Sequence, residues 1–346
     1  IWLKAFLVSS ALSLPAALSA AKMESRDQRM FVAGATGYLG KFVVQEALGR
    51  GYKVRALTRN KARLPAELAE IPQGINFEVV EGEVTKPETL RGLTKDCDIL
   101  FSSIGITKQQ DKGVKYMDVD YSANRNLLDE ARQSDSVSHF VYTHVLNAEK
   151  MLHVELIAAK HRFVSELKKE YEETKKIRPC VVCPSGFYSD LEEVLDMALS
   201  GRVYVFGDAT QLVSPIWGGD LAPTILNALE QRQEDIPIGG PETFSFMNVA
   251  ELAKQAVEDG YAGEGESRTV AISSVPRWVT NMGVWLATKL TSQKMYGPVH
   301  FISEASKHDM SAPNFGAKRL LDYYREKVEE HKRMVRLGSE NPASTS

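Results

Sequence analysis

The stretch "MFVAGATGYLGKF", residues 30–42, constrains the fold more than any other part of the chain. An apolar run of strand length breaks into glycines spaced G-x-x-G-x-x-G, and the residues that follow have the apolar spacing of a helix start. Gly34 permits a tight turn, Gly37 lets backbone approach a diphosphate, and Gly40 lets the helix pack close to the strand. The helix N-terminus then offers free N–H groups and a favourable dipole to an anion. Such a turn is informative when it heads a series of βαβ units.

That series is present. From Arg29 onward, "RMFVAG", "KVRALT", "INFEVVEG", "CDILFSSIG", "HFVYTHV" and "RPCVVCP" read as strands. Between them, "KFVVQEALGRG", "YMDVDYSANRNLLDEARQ" and "MLHVELIAAKHRFVSELKKEYEETK" read as helices. Strands alternating with helices predict parallel βαβ units and an α/β fold with a doubly wound parallel sheet. After Pro184 the rhythm changes to helices separated by short strand-like pieces such as "RVYVFG", "IPIGGP" and "RTVAIS". The expected organisation is a dinucleotide-binding core over 29–183 and a smaller substrate-side lobe, interleaved with it, over 184–336. A final helix "FGAKRLLDYYREKVEEHKRMVRL" precedes a disordered tail over 337–346.

Residues 1–28 are expected to lie outside the fold. "AFLVSSALSLPAALSAA" after Lys4 has the layout of a signal-peptide h-region, and Pro15 interrupts it as a membrane span. Met23 is the alternative initiator. The chain is then cytoplasmic if Met23 is the start, and otherwise targeted to an organelle or the secretory route through residues 1–22. No later stretch approaches the ~18 uninterrupted apolar residues of a span. A net charge of -3 gives no polyanion signature, so nucleic acid is not an expected partner. The oligomeric state is not encoded in any motif.

Cys180 and Cys183 form a lone C-x-x-C inside a strand-like run and, with Cys97, read as small buried apolar residues. His139, His144, His153 and His161 cluster in sequence, yet no metal site is expected. The eight-residue spacing of His153 and His161 rotates them by roughly 80° around a helix, and His139 and His144 point to opposite faces of a strand.

Cofactor selectivity is read from the end of the second strand. An NAD-type site places Asp or Glu about 20 residues past the glycine turn. This chain has Thr58, Arg59, Asn60 and Lys61 there, and a guanidinium suits a 2′-phosphate. NADP(H) is the expected cofactor.

The ordered succession "GATGYLG", "GEVTKPETL", "FSSIG", "VDYSANRNLLDEAR", "AAKHRF", "PIWGGDLA" and "IPIGGPETFSFMNVAELA" resembles the atypical short-chain dehydrogenase/reductases. Within them the NmrA-like and divinyl chlorophyllide reductase-like branches are the nearest, over roughly residues 29–255. The resemblance implies a Rossmann fold with the cofactor across the strand ends, in which Gly34, Thr36, Gly37, Tyr38, Leu39 and Gly40 line the diphosphate and Arg59 meets the 2′-phosphate. It implies Glu83 and Val84 near adenine, and Ser103, Ile104 and Gly105 beside the ribose. Lys160 matches the lysine that holds the nicotinamide ribose. Four residues earlier, where the superfamily's tyrosine acid stands, is Leu156, which transfers no proton. Asp120 stands where relatives often carry asparagine. Tyr188, in "PSGFYSD", and His144 are candidate acids, and Phe187 and Tyr188 are candidate substrate contacts.

Two functions fit. One is an NADP(H)-dependent reductase of a small molecule, apolar or conjugated (lipid-like, quinone-like or tetrapyrrole), because a conjugated alkene needs less proton assistance at oxygen than a ketone. The other is a non-catalytic NADPH-binding redox sensor or assembly factor. "GFYSDLEEV" and "VPRWVTNMGVWLATKL" suggest an aromatic-lined pocket, with Trp278 and Trp285 as alternatively core residues on one helical face.

Overall fold

The computed structural model describes residues 27–106, 113–262 and 268–340. The leader expected over 1–28 therefore falls outside the described residues apart from its last two, as does the end of the expected tail.

The first six strands are β1 (Arg29–Ala33), β2 (Lys53–Thr58), β3 (Phe77–Glu81), β4 (Ile99–Ser102), β5 (His139–Thr143) and β6 (Arg178–Pro184). Then come β7 (Arg202–Phe206), β8 (Leu212–Val213), β9 (Asp235–Ile238), β10 (Phe244–Ser245) and β11 (Ala271–Val275). Seven of them make one parallel sheet in the order β3-β2-β1-β4-β5-β6-β9. The order reverses direction between β1 and β4, the switch point at whose strand ends ligands bind in such sheets. Met30, Phe31, Val32 and Ala33 are all fully buried. Helices cover both faces, which is why the central strands β1 and β4 are near-continuous buried runs, whereas the edge strands β3 and β9 alternate.

The helices are α1 (Tyr38–Gly49), α2 (Ala66–Ala69), α3 (Asn124–Gln133), α4 (Glu155–Thr174), α5 (Glu192–Leu199), α6 (Gly218–Glu230), α7 (Phe246–Tyr261), α8 (Arg277–Leu290), α9 (Gln293–Ala305) and α10 (Leu320–Glu340). On one face of the sheet, Val43, Val44 and Ala47 of α1 pack with Leu221, Ile225 and Leu226 of α6. On the other, Leu127 and Leu128 of α3 join Phe163 and Leu167 of α4. A separate core gathers Leu195 of α5, Val257 of α7 and Tyr324 of α10 around β7. No helix among the described residues is long and apolar enough to cross a membrane.

The structure departs from the sequence reading at identifiable places. "IPIGGP" does not stay in the second lobe; its first residues, in β9, complete the main sheet beside β6. The helix expected from Tyr116 opens with a wide π turn over Met117–Ala123. The long helix begins at Glu155, because residues Ala148–Met151 form a separate tight turn. The last helix starts at Leu320 and not at Phe315. Gly316 takes φ +81, and one carboxylate oxygen of Asp220 accepts the N–H groups of Ala317 and Lys318 at 2.9 and 2.8 Å. That helix runs to Glu340, so residues 337–340 are helical where a tail was expected. Cys180 packs in one core and Cys183 against the other, on opposite sides of β6.

A candidate nicotinamide-cofactor site

The glycine turn is built by close approaches. Gly34 has φ +87, and its carbonyl accepts the Gly37 N–H at 2.9 Å. A side chain at Gly34 would meet Ser103 Oγ at 2.6 Å, so the turn rests directly on the end of β4. A Cβ at Gly40 would come within 2.6 Å of the Gly34 carbonyl carbon and 2.8 Å of Ala35 Cα. A Cβ at Gly37 would touch only the Gly34 carbonyl oxygen, at 3.2 Å. Thr36 and Gly37 are exposed at the open N-terminus of α1, which carries no acidic residue in its first turn. That end suits a diphosphate.

Two residues expected along the diphosphate turn their side chains elsewhere. Leu39 is in the core. The Tyr38 hydroxyl accepts the Gly218 N–H at 3.0 Å, and its ring meets Phe42 and Phe187 edge-on, each at 5.8 Å. Only their backbone is left to face an anion. Phe187 accordingly packs on the α1 end of the fold.

At the end of β2, Arg59 is exposed, and among the described residues no hydrogen bond or ion pair occupies its guanidinium. Thr58 and Asn60 hold the loop through a hydroxyl–backbone pair at 3.1 and 3.2 Å. Glu81 of β3 accepts the Lys61 N–H at 2.8 Å. Glu83 takes its place in a turn, accepting the Thr85 hydroxyl at 3.2 Å, and Val84 is buried with its carbonyl on Asn126 Nδ2 at 2.8 Å.

The corner expected to face the ribose is formed by the ends of β4 and β5, the π turn and α4. Lys160 Nζ lies 3.3 Å from Asp120 Oδ1 and 3.4 Å from the Thr143 carbonyl. It stands 5.3 Å from the centre of the Tyr142 ring. Asp120 is fully buried, and its other oxygen accepts the Ile106 N–H at 3.1 Å. A Cβ at Gly105 would fall 2.7 Å from Asp120 Oδ1 and 3.0 Å from Lys160 Nζ, so Gly105 leaves this corner open. Burial raises the Asp120 carboxyl, with Lys160 opposing it. Burial also works against the Lys160 charge, but Tyr142 and Asp120 hold the ammonium above its ordinary value. Lys160 is therefore a fixed cation. Asp120 Oδ1 is taken up by the ion pair with Lys160, whereas the buried Thr143 Oγ1 has no hydrogen-bond partner among the described residues.

Sequence reasoning missed what positions this corner. Ser102 Oγ donates to Asn124 Oδ1 at 2.6 Å and accepts the Ile104 N–H at 3.2 Å. Asn124 Nδ2 reaches the carbonyls of Ile104 and Asp120 at 3.3 and 3.0 Å. Both side chains are fully buried. The signal was the spacing of Asp120 and Asn124 in "VDYSAN", but only the π turn shows that both serve the loop after β4.

The two candidate acids are not placed for proton transfer. Tyr188 is fully buried in the second core, its ring 5.3 Å from Tyr323 and its hydroxyl donating to the Lys318 carbonyl at 2.6 Å. Burial raises that hydroxyl well above its ordinary range. This corrects the expectation of Tyr188 as acid and substrate contact. The prediction is that Tyr188→Phe lowers stability by about 1 kcal/mol and leaves the rate of any turnover unchanged. Urea unfolding and kinetics check it, and a rate loss without unfolding would contradict it. His144 is buried with both ring nitrogens unpartnered, and burial pulls it down to about 3. It is a neutral imidazole at pH 7 and a weak acid.

Over the same end stands a helical hairpin, α8 and α9. Gln293 accepts the Tyr116 N–H at 3.0 Å, and Tyr296 donates to Glu155 Oε2 at 3.0 Å. Tyr116 directly precedes the π turn that carries Asp120. A Cβ at Gly297 would fall 2.8 Å from Tyr116 Cε2, so this glycine is what lets α9, a helix absent from the sequence reading, seat there. Trp278 and Trp285 are not core. They are 67% and 62% exposed on α8, in line with Met282 and Leu286. A hollow of about 170 Å³ lies between the helices, lined by Val284, Ala287, Met295 and Val299 among others.

Comparisons with known proteins agree with this geometry. Residues 34–178 match a family of NAD(P)H-binding domains. Over 248 residues the chain is 31% identical to the chloroplastic divinyl chlorophyllide a 8-vinyl-reductase of Zea mays, covering 68% of this chain and 61% of that one. It thus spans less than two thirds of that reductase's length. Over 232 residues it is 26% identical to the photosystem II assembly factor Ycf39 of Guillardia theta, covering 65% of this chain and 69% of that one. Among solved structures, the Bordetella bronchiseptica enzyme WbmH in complex with NAD+ aligns with a TM-score of 0.53 at 15% identity, over 72% of this chain and 86% of that one. That last likeness is one of fold. With its glycine turn, parallel sheet and Lys160 corner all in place, the chain belongs to the NAD(P)H-binding atypical short-chain dehydrogenase/reductases.

Proposed function

We propose that the chain is an NADP(H)-dependent reductase acting on an apolar or conjugated small molecule. The observation that carries this reading is the meeting, at one end of the sheet, of the buried Lys160–Asp120 pair, the unpartnered Thr143 hydroxyl and an apolar aromatic hairpin. NADPH, when bound, supplies the hydride. The α1 N-terminus would hold the diphosphate. Lys160, kept charged by Asp120 and Tyr142, would hold the nicotinamide ribose and so orient the ring toward substrate. The α8–α9 hairpin offers apolar surface to the substrate and keeps water from that end. With Leu156 in the tyrosine position, the single proton that completes the reduction after hydride transfer comes from water, which a conjugated acceptor tolerates better than a ketone does.

Arg59 supports the preference for NADP(H). Its guanidinium stands open at the end of β2, while Glu81, the acid across the ladder, is engaged by Lys61 N–H. Arg59→Ala should cost NADPH about 1.5–3 kcal/mol of binding and leave NADH nearly unchanged. Equal affinity of the unmutated protein for both cofactors would sink this part of the reading. The identity of the Zea mays relative makes divinyl tetrapyrroles the first acceptors to screen, followed by quinones and enones. The leader-like residues 1–22, together with that relative's chloroplastic name, support delivery to an organelle.

A second reading is favoured by Leu156 itself: a non-catalytic NADPH-binding factor, as the likeness to an assembly factor suggests. Tight cofactor binding without oxidation by any acceptor distinguishes it.

A further inference from the structure

His153 lies in the turn leading into α4, its side chain 56% exposed. His300 and Glu304 stand four residues apart on α9, one helical turn up the same face. His153 Nε2 is 3.0 Å from Glu304 Oε2, and the two imidazole centroids are 6.1 Å apart. One ligand-capable atom from each of the three residues lies within 4.8 Å of the others. We propose that His153, His300 and Glu304 form a binding site for a divalent transition metal of the Zn2+ class, with solvent completing the coordination.

The donor set decides the class. Two imidazoles and one carboxylate suit zinc or a neighbouring first-row ion, whereas calcium and magnesium take oxygen ligands. Bonds of ~2.1 Å place tetrahedral ligands about 3.4 Å apart, so the longest separation must close by roughly an ångström and a half. A rotation of the exposed His153 ring can supply that. Protonation states suit the ion too. Burial lowers His300, leaving a neutral ring with a lone pair. Burial opposes charge on Glu304, but Lys307 and His153 keep its carboxyl below the usual range. Lys307 Nζ occupies the other carboxylate oxygen at 2.5 Å, so the carboxylate binds the metal through one oxygen.

The site joins two segments 147 positions apart in the chain. One leads into α4, which carries Lys160. The other is α9, which covers Tyr116 and contacts Glu155. A bound ion would staple the hairpin to the cofactor-binding core. This inference does not depend on whether the protein turns over a substrate.

The test is calorimetric titration of the full chain, free of any histidine tag and stripped with chelator, with Zn2+ and then Co2+. The expected result is one equivalent bound, a raised melting temperature, and visible Co2+ absorption of a low-coordinate nitrogen–oxygen site. His153→Gln and His300→Gln should each abolish stoichiometric binding. His153 is largely exposed, so His153→Gln keeps the fold, which circular dichroism and unchanged NADPH affinity verify. Absence of stoichiometric binding by the unmodified chain, or binding that survives both replacements, overturns the proposal.

Discussion

Replacing Gly40 by alanine is expected to cost about 3 kcal/mol of stability and all measurable cofactor binding. The added methyl meets backbone, not the end of a flexible side chain. It falls 2.6 Å from the Gly34 carbonyl carbon and 2.8 Å from Ala35 Cα, with the Gly34 oxygen closer still. Relief requires α1 to move away from β1, and overpacking of this kind costs roughly 1–3 kcal/mol, at the upper end where backbone must shift. Val43, Val44 and Ala47 would move with it, loosening the contact with α6. Gly37→Ala is the matched control. Its methyl meets only the Gly34 oxygen at 3.2 Å and otherwise enters open space, where on the proposed reading the diphosphate would approach. It should melt near the unmutated protein yet bind NADPH weakly. Thermal melts and cofactor titration of the pair check both halves. A Gly40→Ala protein as stable as the parent, or a Gly37→Ala protein with parental affinity, would show that the turn is misassigned.

The second large effect is expected from Lys160→Met. Asp120 is fully buried, and removal of the ammonium at 3.3 Å leaves a carboxyl held by one backbone N–H. Breaking a buried pair in this way costs about 3–5 kcal/mol; the lower figure applies here because the Lys160 side chain is 13% exposed. The loss depends on pH in a defined direction. Burial already raises the Asp120 carboxyl, and without Lys160 nothing charged opposes it. In the unfolded chain the group titrates near its ordinary value of about 3.9. Between that value and the higher folded one, the native state binds more protons, so stability falls as pH rises. Lys160→Met should be closest to the parent near pH ~4 and furthest from it in mild alkali. Adding Asp120→Asn should restore stability but not NADPH affinity, because the ribose anchor is still missing. Urea unfolding across pH measures this, and a variant equally stable at all pH values would contradict it.

Much of this was legible before any coordinates. The βαβ alternation, the glycine turn and the matching lysine are local patterns, and local patterns survive in sequence. Gly34 and Gly40 have steric reasons, close approach among them, that a spacing alone expresses. The failures share a cause, which is distance along the chain. Tyr188 follows β6 in a stretch whose place in the sequence suggests a substrate contact, yet it is buried and its hydroxyl is satisfied by the Lys318 carbonyl, 130 residues on. Asp120 reads as an odd acid beside a helix until Lys160 is folded against it. The α9 segment carries Gly297 and Pro298, which weaken its local helix signal, and the reason for the glycine is the Tyr116 ring, far away in the chain. Trp278 and Trp285 do share a helical face, as their spacing said; whether that face is core or surface is decided by neighbours, and here it is open.

The most direct measurement is a single turnover. The protein, preloaded with one equivalent of NADPH, is mixed with divinyl tetrapyrrole, quinone and enone acceptors in turn, and the reduced-nicotinamide absorbance is followed. The account predicts stoichiometric loss of that absorbance with at least one apolar conjugated acceptor, much slower in Lys160→Met loaded to the same occupancy. Cofactor that stays bound and reduced in the presence of every acceptor would contradict the reductase reading and leave a binding protein in its place.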